Sequence, residues 1–283
     1  MENNRLINIV HISDMHFGSQ NFVYSTSELQ NGINRVIDDI KDENLFLLLS
    51  GDITYQGTVK GFEEAKPFFD QIIRTNNLRR ENILLCPGNH DKVRIEKIDF
   101  EYFQGFSYFI RRDKIFTYID KNCDYLETDS LFLLGINSSF KLDHRFGIAD
   151  ISSIDKILQK TASSSDLKIK IAFLHHHLIN QFEGDLSVLR NAYDLLVLLD
   201  EHKFKYIFHG HQHSNQFLPI GKSGMCIFGV RTFNFDTKGY PNGFNHYEIS
   251  LNSIIVNNYI YLKDSETRGI KGRFQKVFSR KLS

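Results

Sequence analysis

Five short stretches concentrate side chains that ligate metal ions. They are Asp14-Met15-His16, Gly51-Asp52, Gly88-Asn89-His90-Asp91, His175-His176-His177 and His209-Gly210-His211-Gln212-His213. Eight of the chain's 12 histidines lie in them. Imidazole, carboxylate and amide donors in one place suit a borderline divalent cation such as manganese, iron, zinc, nickel or cobalt. The three cysteines, Cys86, Cys123 and Cys226, are widely spaced and odd in number, so they form neither a disulfide framework nor a thiolate zinc site. Each stretch alone reads as turn chemistry or a surface histidine. Two of them have the form D-x-H or H-x-H, and a strand alternates faces with period two, so such a pair can aim both groups at one point.

The elements around these stretches give them a common location. Residues 6–12, 45–49 and 83–86 are short apolar runs that read as buried strands. Between them, Leu29, Ile33, Val36, Ile37 and Ile40, and then Phe62, Ala65, Phe69, Ile72 and Ile73, fall at helical spacing. Ser27 with Gln30 is positioned for a capping box, and Pro67 predicts a kink in the second helix. A β-α-β-α-β rhythm implies a parallel sheet with crossover helices. Further strands are expected at 131–136, 169–174 and 206–208, with helices near 151–158 and 186–199. Beyond them, strands at 226–230, 247–251 and 254–262 read as antiparallel, the last two joined at Asn252-Ser253. The pattern fits an α/β sandwich of three or four layers. Ligand sites in α/β sheets open at the carboxyl ends of the strands, and all five stretches sit there.

Two segments break the rhythm. Residues 92–124 are rich in Phe and Tyr and read as a small helical insertion with its own aromatic core, placed to cap the site. Residues 263–283 carry seven Lys/Arg and two Asp/Glu and read as a solvated basic tail, which leaves residues 1–262 as the main domain. The 283 residues balance 34 basic against 34 acidic side chains, so no global field draws the chain to nucleic acid or to a membrane. The first residues are polar and no apolar run approaches the length of a spanning helix; the expectation is a cytoplasmic protein with no membrane partner.

In order and in composition the five blocks resemble the calcineurin-like metallophosphoesterase superfamily, whose pattern is D-x-H, G-D, G-N-H-[D/E], H and G-H-x-H. The likeness spans residues 14–213. It implies an αββα sandwich of two mixed sheets flanked by helices, with a dinuclear metal site at its top. By the same resemblance Asp14, His16 and His213 hold one ion, Asn89, His211 and one residue of the triple histidine hold the other, and Asp52 bridges both. The family usually reads His-His-Pro with the first histidine as ligand, which favours His175. Here His177 takes the proline's place, so His176 is the alternative. His90 is then the residue that protonates or stabilises the leaving oxygen, and Asp91 supports its loop.

Two ions in such a site share a water, lower its pKa, and neutralise phosphate charge as that water attacks phosphorus in line. Gly51-Asp52-Ile53-Thr54-Tyr55-Gln56-Gly57 lacks the Asp-Arg-Gly typical of protein Ser/Thr phosphatases. The opening 11–18 block and Gly243-Phe244-Asn245 look most like bacterial class III cyclic-nucleotide phosphodiesterase-like members. The expected substrate is therefore a nucleotide-type phosphodiester. A nuclease acting on DNA or RNA, and an effector or regulatory module of a larger protein, are the rival readings.

Overall fold

The computed structural model describes residues 6–42, 44–93, 99–141, 145–165, 168–221, 224–263 and 272–282. Two six-stranded sheets stack face to face. The first holds β1 (Ile7–Ile12), β2 (Phe46–Ser50), β3 (Ile83–Cys86), β10 (Gly243–Ser250), β11 (Ser253–Leu262) and β12 (Arg273–Leu282), in the order β12-β11-β10-β1-β2-β3. The second holds β4 (Cys123–Glu127), β5 (Leu131–Ile136), β6 (Ile169–Phe173), β7 (Tyr206–His209), β8 (Gln216–Ile220) and β9 (Met225–Gly229), in the order β4-β5-β6-β7-β9-β8. β1, β2 and β3 run parallel, as do β5, β6, β7 and β9, while β10, β11 and β12 in the first sheet and β4 and β8 in the second pair antiparallel. Strands such as β1 are buried along their whole length because both faces are covered, which is why they read as continuous apolar runs.

Helices α1 (Thr26–Ile40), α2 (Val59–Thr75) and α3 (Glu101–Arg111) pack one core with the first sheet, and that core continues between the sheets. Helices α4 (Ile151–Ser165) and α5 (Ala192–Glu201) close a second core on the outer face of the second sheet. The result is the αββα layering with mixed sheets.

Several local expectations need correction. The capping box of α1 is formed by Ser25 and Glu28, not Ser27 and Gln30: Ser25 Oγ accepts from the Glu28 amide and the Glu28 carboxylate accepts from the Ser25 amide. Gln30 is buried instead and donates to the Phe68 carbonyl. α2 runs through Pro67 because its buried face of Phe62, Ala65, Phe69, Ile72 and Ile73 outweighs one lost backbone bond. The α5 helix starts at Ala192, since the residues before it are held in a loop by Asp185, which accepts from the amides of Gln181 and Ser187. β9 is parallel to β7 rather than part of an antiparallel meander, and the turn between β10 and β11 is Leu251-Asn252.

Among the described residues, the aromatic segment at 92–124 joins the main core rather than forming one of its own: Phe100, Phe103, Phe106, Phe116 and Tyr118 all belong to it. Phe103 and Phe106 pack on Phe62, Phe106 also meets Phe69, and Tyr118 donates its hydroxyl proton to the Leu85 carbonyl. Arg111 pins the end of α3 by donating to the carbonyls of Glu81 and Ile83. α3 thus thickens the helical layer beside α2 instead of covering the strand ends; residues 94–98 lie outside the described residues. The basic tail is corrected as well. Arg273–Leu282 is β12, an edge strand in register with β11, and Phe274 is buried against Phe233, Phe244 and Tyr261. The sheet therefore extends past residue 262, with 264–271 outside the described residues. No described helix is long and apolar enough to cross a membrane.

His246, on β10 and away from the strand ends that carry the site, predicts a pH effect. Burial pushes its imidazole down to about 4. It donates to Asn8 Oδ1 and accepts from the Asn257 amide, so the fold holds it neutral. In the unfolded chain it titrates near 6.5. Between those values only the unfolded state gains the proton, so stability falls as pH drops from about 6.5 to 4, by at most about 1.4 kcal/mol per pH unit. His246→Gln, which can keep both hydrogen bonds, should flatten that slope in chemical denaturation at pH 7, 6 and 5. An unchanged slope would remove His246 as its source.

Candidate metal centre

The five stretches converge because β1, β2, β3, β6 and β7 all end at the same edge of the sandwich. Asp14 follows β1 and takes backbone hydrogen bonds that lock its turn to the β2 turn: Asp14 N donates to Gly51 O, and Met15 N and His16 N both donate to Asp52 O. The turns are forced. Asp14 (φ 55), His16 (φ 51), Asp52 (φ 49), His211 (φ 69) and His213 (φ 55) all occupy the left-handed region that side-chain-bearing residues seldom enter. Each such conformation costs on the order of 1–3 kcal/mol and persists where surrounding structure imposes it, commonly at functional sites. Gly51 has φ +90, and a Cβ there would stand 2.6 Å from the Gly88 amide nitrogen and 2.7 Å from His175 Nδ1. A Cβ at Gly88 would run into the Asp52 carboxylate. The two glycine-led blocks therefore need glycine so that their backbones can meet.

Two triads result, with donor atoms of each within 4.8 Å of one another: Asp14, His16 and His213, and Asp52, His175 and His211. In the first, His213 Nε2 lies 3.1 Å and His16 Nε2 4.0 Å from Asp14 Oδ1. In the second, His175 Nε2 lies 3.3 Å from Asp52 Oδ2, 3.0 Å from His211 Nδ1 and 3.1 Å from Asn89 Oδ1. Asp52 Oδ2 is also 3.9 Å from His16 Nε2, so this carboxylate stands between the triads. All seven residues expected as ligands are gathered here, and His90 borders them, its ring edge-on to His16 with centroids 5.0 Å apart.

The donor set fits cations. His175 Nδ1 must donate to the Ser50 carbonyl, 2.8 Å away. In the neutral ring this leaves Nε2 as a lone pair aimed at the oxygens of Asp52 and Asn89 and at a nitrogen of His211. Acceptors converging on one point call for positive charge between them. His16 makes the same case, because both of its ring nitrogens are buried with no hydrogen-bond partner among the described residues. Burial pushes the His175 and His213 imidazoles down, but the neighbouring carboxylates outweigh it. Asp52 brings His175 up to about 9, and Asp14 leaves His213 raised. Burial opposes ionisation of Asp52, yet His175 and His90 hold its carboxyl well below the usual range. A field that retains a proton on buried imidazole will also favour a divalent cation.

Within the triple histidine, only His175 enters a triad among the described residues. His176 turns its Nδ1 to Ser138 Oγ at 2.9 Å, and His177 pairs through Nε2 with Asp185 at 2.8 Å while its ring stacks under His211. Asp91 accepts from the amides of Gly88, Ile53 and Thr54 and so ties the loop of Asn89 and His90 to the β2 turn. Burial first, and then the Asp52 charge, push its carboxyl up to about 7. The His90 amide donates to Asp52 Oδ1, and its ring Nδ1 donates to the Tyr55 carbonyl at 2.6 Å.

Several supporting residues escaped the sequence reading. Thr232 Oγ1 donates to the Asp14 carbonyl at 2.7 Å, Ser138 holds His176, and Tyr55 stacks between His90 and Phe235. Polar residues directly after the apolar runs of β5 and β9 were the available signal for Ser138 and Thr232. Nothing in the sequence marks Tyr55 or Phe235.

A family model described as calcineurin-like phosphoesterase matches residues 7–215. An uncharacterized metallophosphoesterase-like protein of Bacillus subtilis is 37% identical over 87 residues, 30% of this chain; the match spans only 18% of that protein's length. A probable cyclic nucleotide phosphodiesterase of Ruthia magnifica is 26% identical over 261 residues, 85% of this chain and 92% of that one. Among solved structures, a dimetal phosphatase from Danio rerio superposes with a TM-score of 0.62 at 10% identity, covering 89% of this chain and 95% of its own. The structure of PhoD gives the same TM-score at 7% identity, covering 98% of this chain and 69% of that one.

Proposed function

The chain belongs to the calcineurin-like phosphoesterase family, whose members hydrolyse phosphoester bonds, and from that premise we propose that it is a binuclear phosphodiesterase acting on cyclic nucleotides or related nucleotide diesters. The observation that carries the reading is the pair of triads with Asp52 between them. The substrate class is supported by the likeness, along most of both chains, to the Ruthia magnifica protein.

Asp14, His16 and His213 would hold one divalent ion, Asn89, His175 and His211 the other, with Asp52 serving both. Two such ions activate water and neutralise phosphate charge. The surrounding residues fix their ligands: Ser50 sets the His175 tautomer and Thr232 holds the backbone of Asp14 in its left-handed turn. His90, with Nδ1 committed to the Tyr55 carbonyl, keeps Nε2 to carry the proton that the departing oxygen needs.

The test is a panel of bis-p-nitrophenyl phosphate, 3′,5′-cyclic nucleotides and single-stranded DNA with manganese-loaded protein. Turnover of the first two is expected. Cleavage of DNA with cyclic nucleotides inert would replace this reading with a nuclease. The triple histidine supplies a second prediction. His175→Ala should lose at least one ion per chain by elemental analysis, whereas His176→Ala should keep two and lose about 10–100-fold in activity, the range typical of groups that only orient ligands. The reverse outcome would move the ligand to His176.

A further inference from the structure

β8 is an edge strand of the second sheet and β12 an edge strand of the first, and a groove of about 330 Å³ runs between them. The groove begins beside the metal centre on both of its walls. Asn215 lies two residues after His213, at most about 7 Å along the chain. Arg231 directly precedes Thr232, which holds the Asp14 carbonyl. Both residues line the groove, and behind its surface Asn215 Oδ1, an acceptor, and Arg231 Nε, a donor, are buried without a hydrogen-bond partner among the described residues. Buried polar groups left unpaired cost roughly 1–3 kcal/mol each, so their presence in a cavity wall marks a place where something else completes them.

The rest of the lining is mostly apolar and aromatic, with Gln216, Asn258 and Arg280 as its polar members. A register shift on β12 opposite Asn258 and Tyr259 resets the alternation, after which Phe278, Arg280 and Leu282 share one face and line the groove. Phe278 is half exposed there, and across from it Phe217 on β8 lies under the Arg280 guanidinium at 5.0 Å. A concave, mostly apolar site with aromatic walls and a few convergent polar groups is the usual form of a small-molecule pocket. An unpaired donor and an unpaired acceptor beside aromatic faces match a planar heterocycle with polar edges. The four cations of β12, Arg273, Lys276, Arg280 and Lys281, do not require a polyanion, since basic residues commonly protect an exposed edge strand from pairing with another chain.

We infer that this groove receives the nucleoside part of a nucleotide phosphodiester whose phosphate lies at the triads. The inference rests on the reading of the protein as a nucleotide phosphodiesterase. It adds where specificity resides: Asn215 and Arg231 address the polar edges of the base, and Phe278, with the Arg280 guanidinium held over Phe217, its faces.

The experiment compares wild type with Arg231→Met and Phe278→Ser, each checked for folding by circular dichroism and for metal content. Two measurements are made: binding of adenosine by calorimetry, and kcat/KM for 3′,5′-cyclic AMP relative to bis-p-nitrophenyl phosphate, which has no base. Adenosine should bind wild type and bind each variant at least tenfold more weakly, and the cyclic AMP to bis-p-nitrophenyl phosphate ratio should fall at least tenfold. If cyclic AMP is hydrolysed with the ratio unchanged in both variants, the groove assignment is wrong while the phosphodiesterase reading stands. If only bis-p-nitrophenyl phosphate is turned over, the substrate reading fails, and adenosine binding alone then decides the groove: none by wild type overturns it. Binding of a ten-residue oligothymidylate that both variants lose, without adenosine binding, would assign the groove to single-stranded nucleic acid and overturn the inference as well.

Discussion

Replacing Asp52 with asparagine should cost the protein metal and activity together. The wild-type carboxylate divides its labour. Oδ1 accepts from the His90 amide at 2.8 Å, while Oδ2 faces His175 Nε2 at 3.3 Å and His16 Nε2 at 3.9 Å. The amide oxygen of asparagine can keep the first contact, so the loop of Asn89 and His90 should hold its place. The amide NH₂ then points where a cation is expected, and the one negative charge shared by both triads is gone. Elemental analysis after manganese loading should fall clearly below two ions per chain. Turnover should drop by more than the roughly 10–100-fold that follows loss of a group outside the ligand set. The metal-free variant should keep its fold, because its volume and its main hydrogen bond survive, but it should unfold at a lower temperature than the metal-free wild type, because the charge that raises the buried His175 imidazole is lost. Two ions and normal turnover in the variant would show that Asp52 does not serve both triads.

His90→Ala should behave differently. The ring is tethered through Nδ1 to the Tyr55 carbonyl and stacked on the Tyr55 ring at 5.6 Å, which presents Nε2 to the space beside the triads without placing it in either one. Metal content should therefore remain near wild type. Proton donation to a leaving group is typically worth about 10²–10⁴ in rate. The loss should approach that range on cyclic nucleotides, whose leaving ribose oxygen is strongly basic, and should be much smaller on p-nitrophenyl esters, whose leaving group departs without a proton. Both substrates should be compared on one metal-loaded preparation. Equal losses on the two would assign His90 to support of the site, and a missing ion would make it a ligand.

Much of this was legible in the chain because each ligand block couples a chemical type to a local backbone demand. Gly51-Asp52 and Gly88-Asn89-His90 announce themselves by the glycine that lets two turns touch as well as by the ligand that follows. Buried strands such as β1, β2 and β3 were visible as mainly apolar runs, since strands covered on both faces carry few polar residues and those few, such as Asn8 and His11, are hydrogen-bonded. Elements whose burial is one-sided or depends on distant partners were harder. β4, β8 and β12 are edge strands of mixed composition, and only pairing with β5, β9 and β11 makes them strands. The capping box of α1 was displaced by two residues, a choice between neighbouring serines that the downstream contacts of Gln30 with α2 decide.

By itself the sequence determined which residue types gather at the candidate metal centre, the order in which strands deliver them and the class of fold that brings strand ends together, because these follow from side-chain chemistry and hydrophobic period. The tertiary structure decided what depends on direction in space. It turned His175 rather than its neighbour into the cluster, since successive side chains after a strand diverge and the ring of His176 is drawn to Ser138. It placed Asp52 between the triads by forcing a left-handed turn on a residue that prefers to avoid it. It also sent the aromatic insertion into the core beside α2 and made the basic end segment an edge strand, because Phe106 and Phe274 find their partners only across the fold.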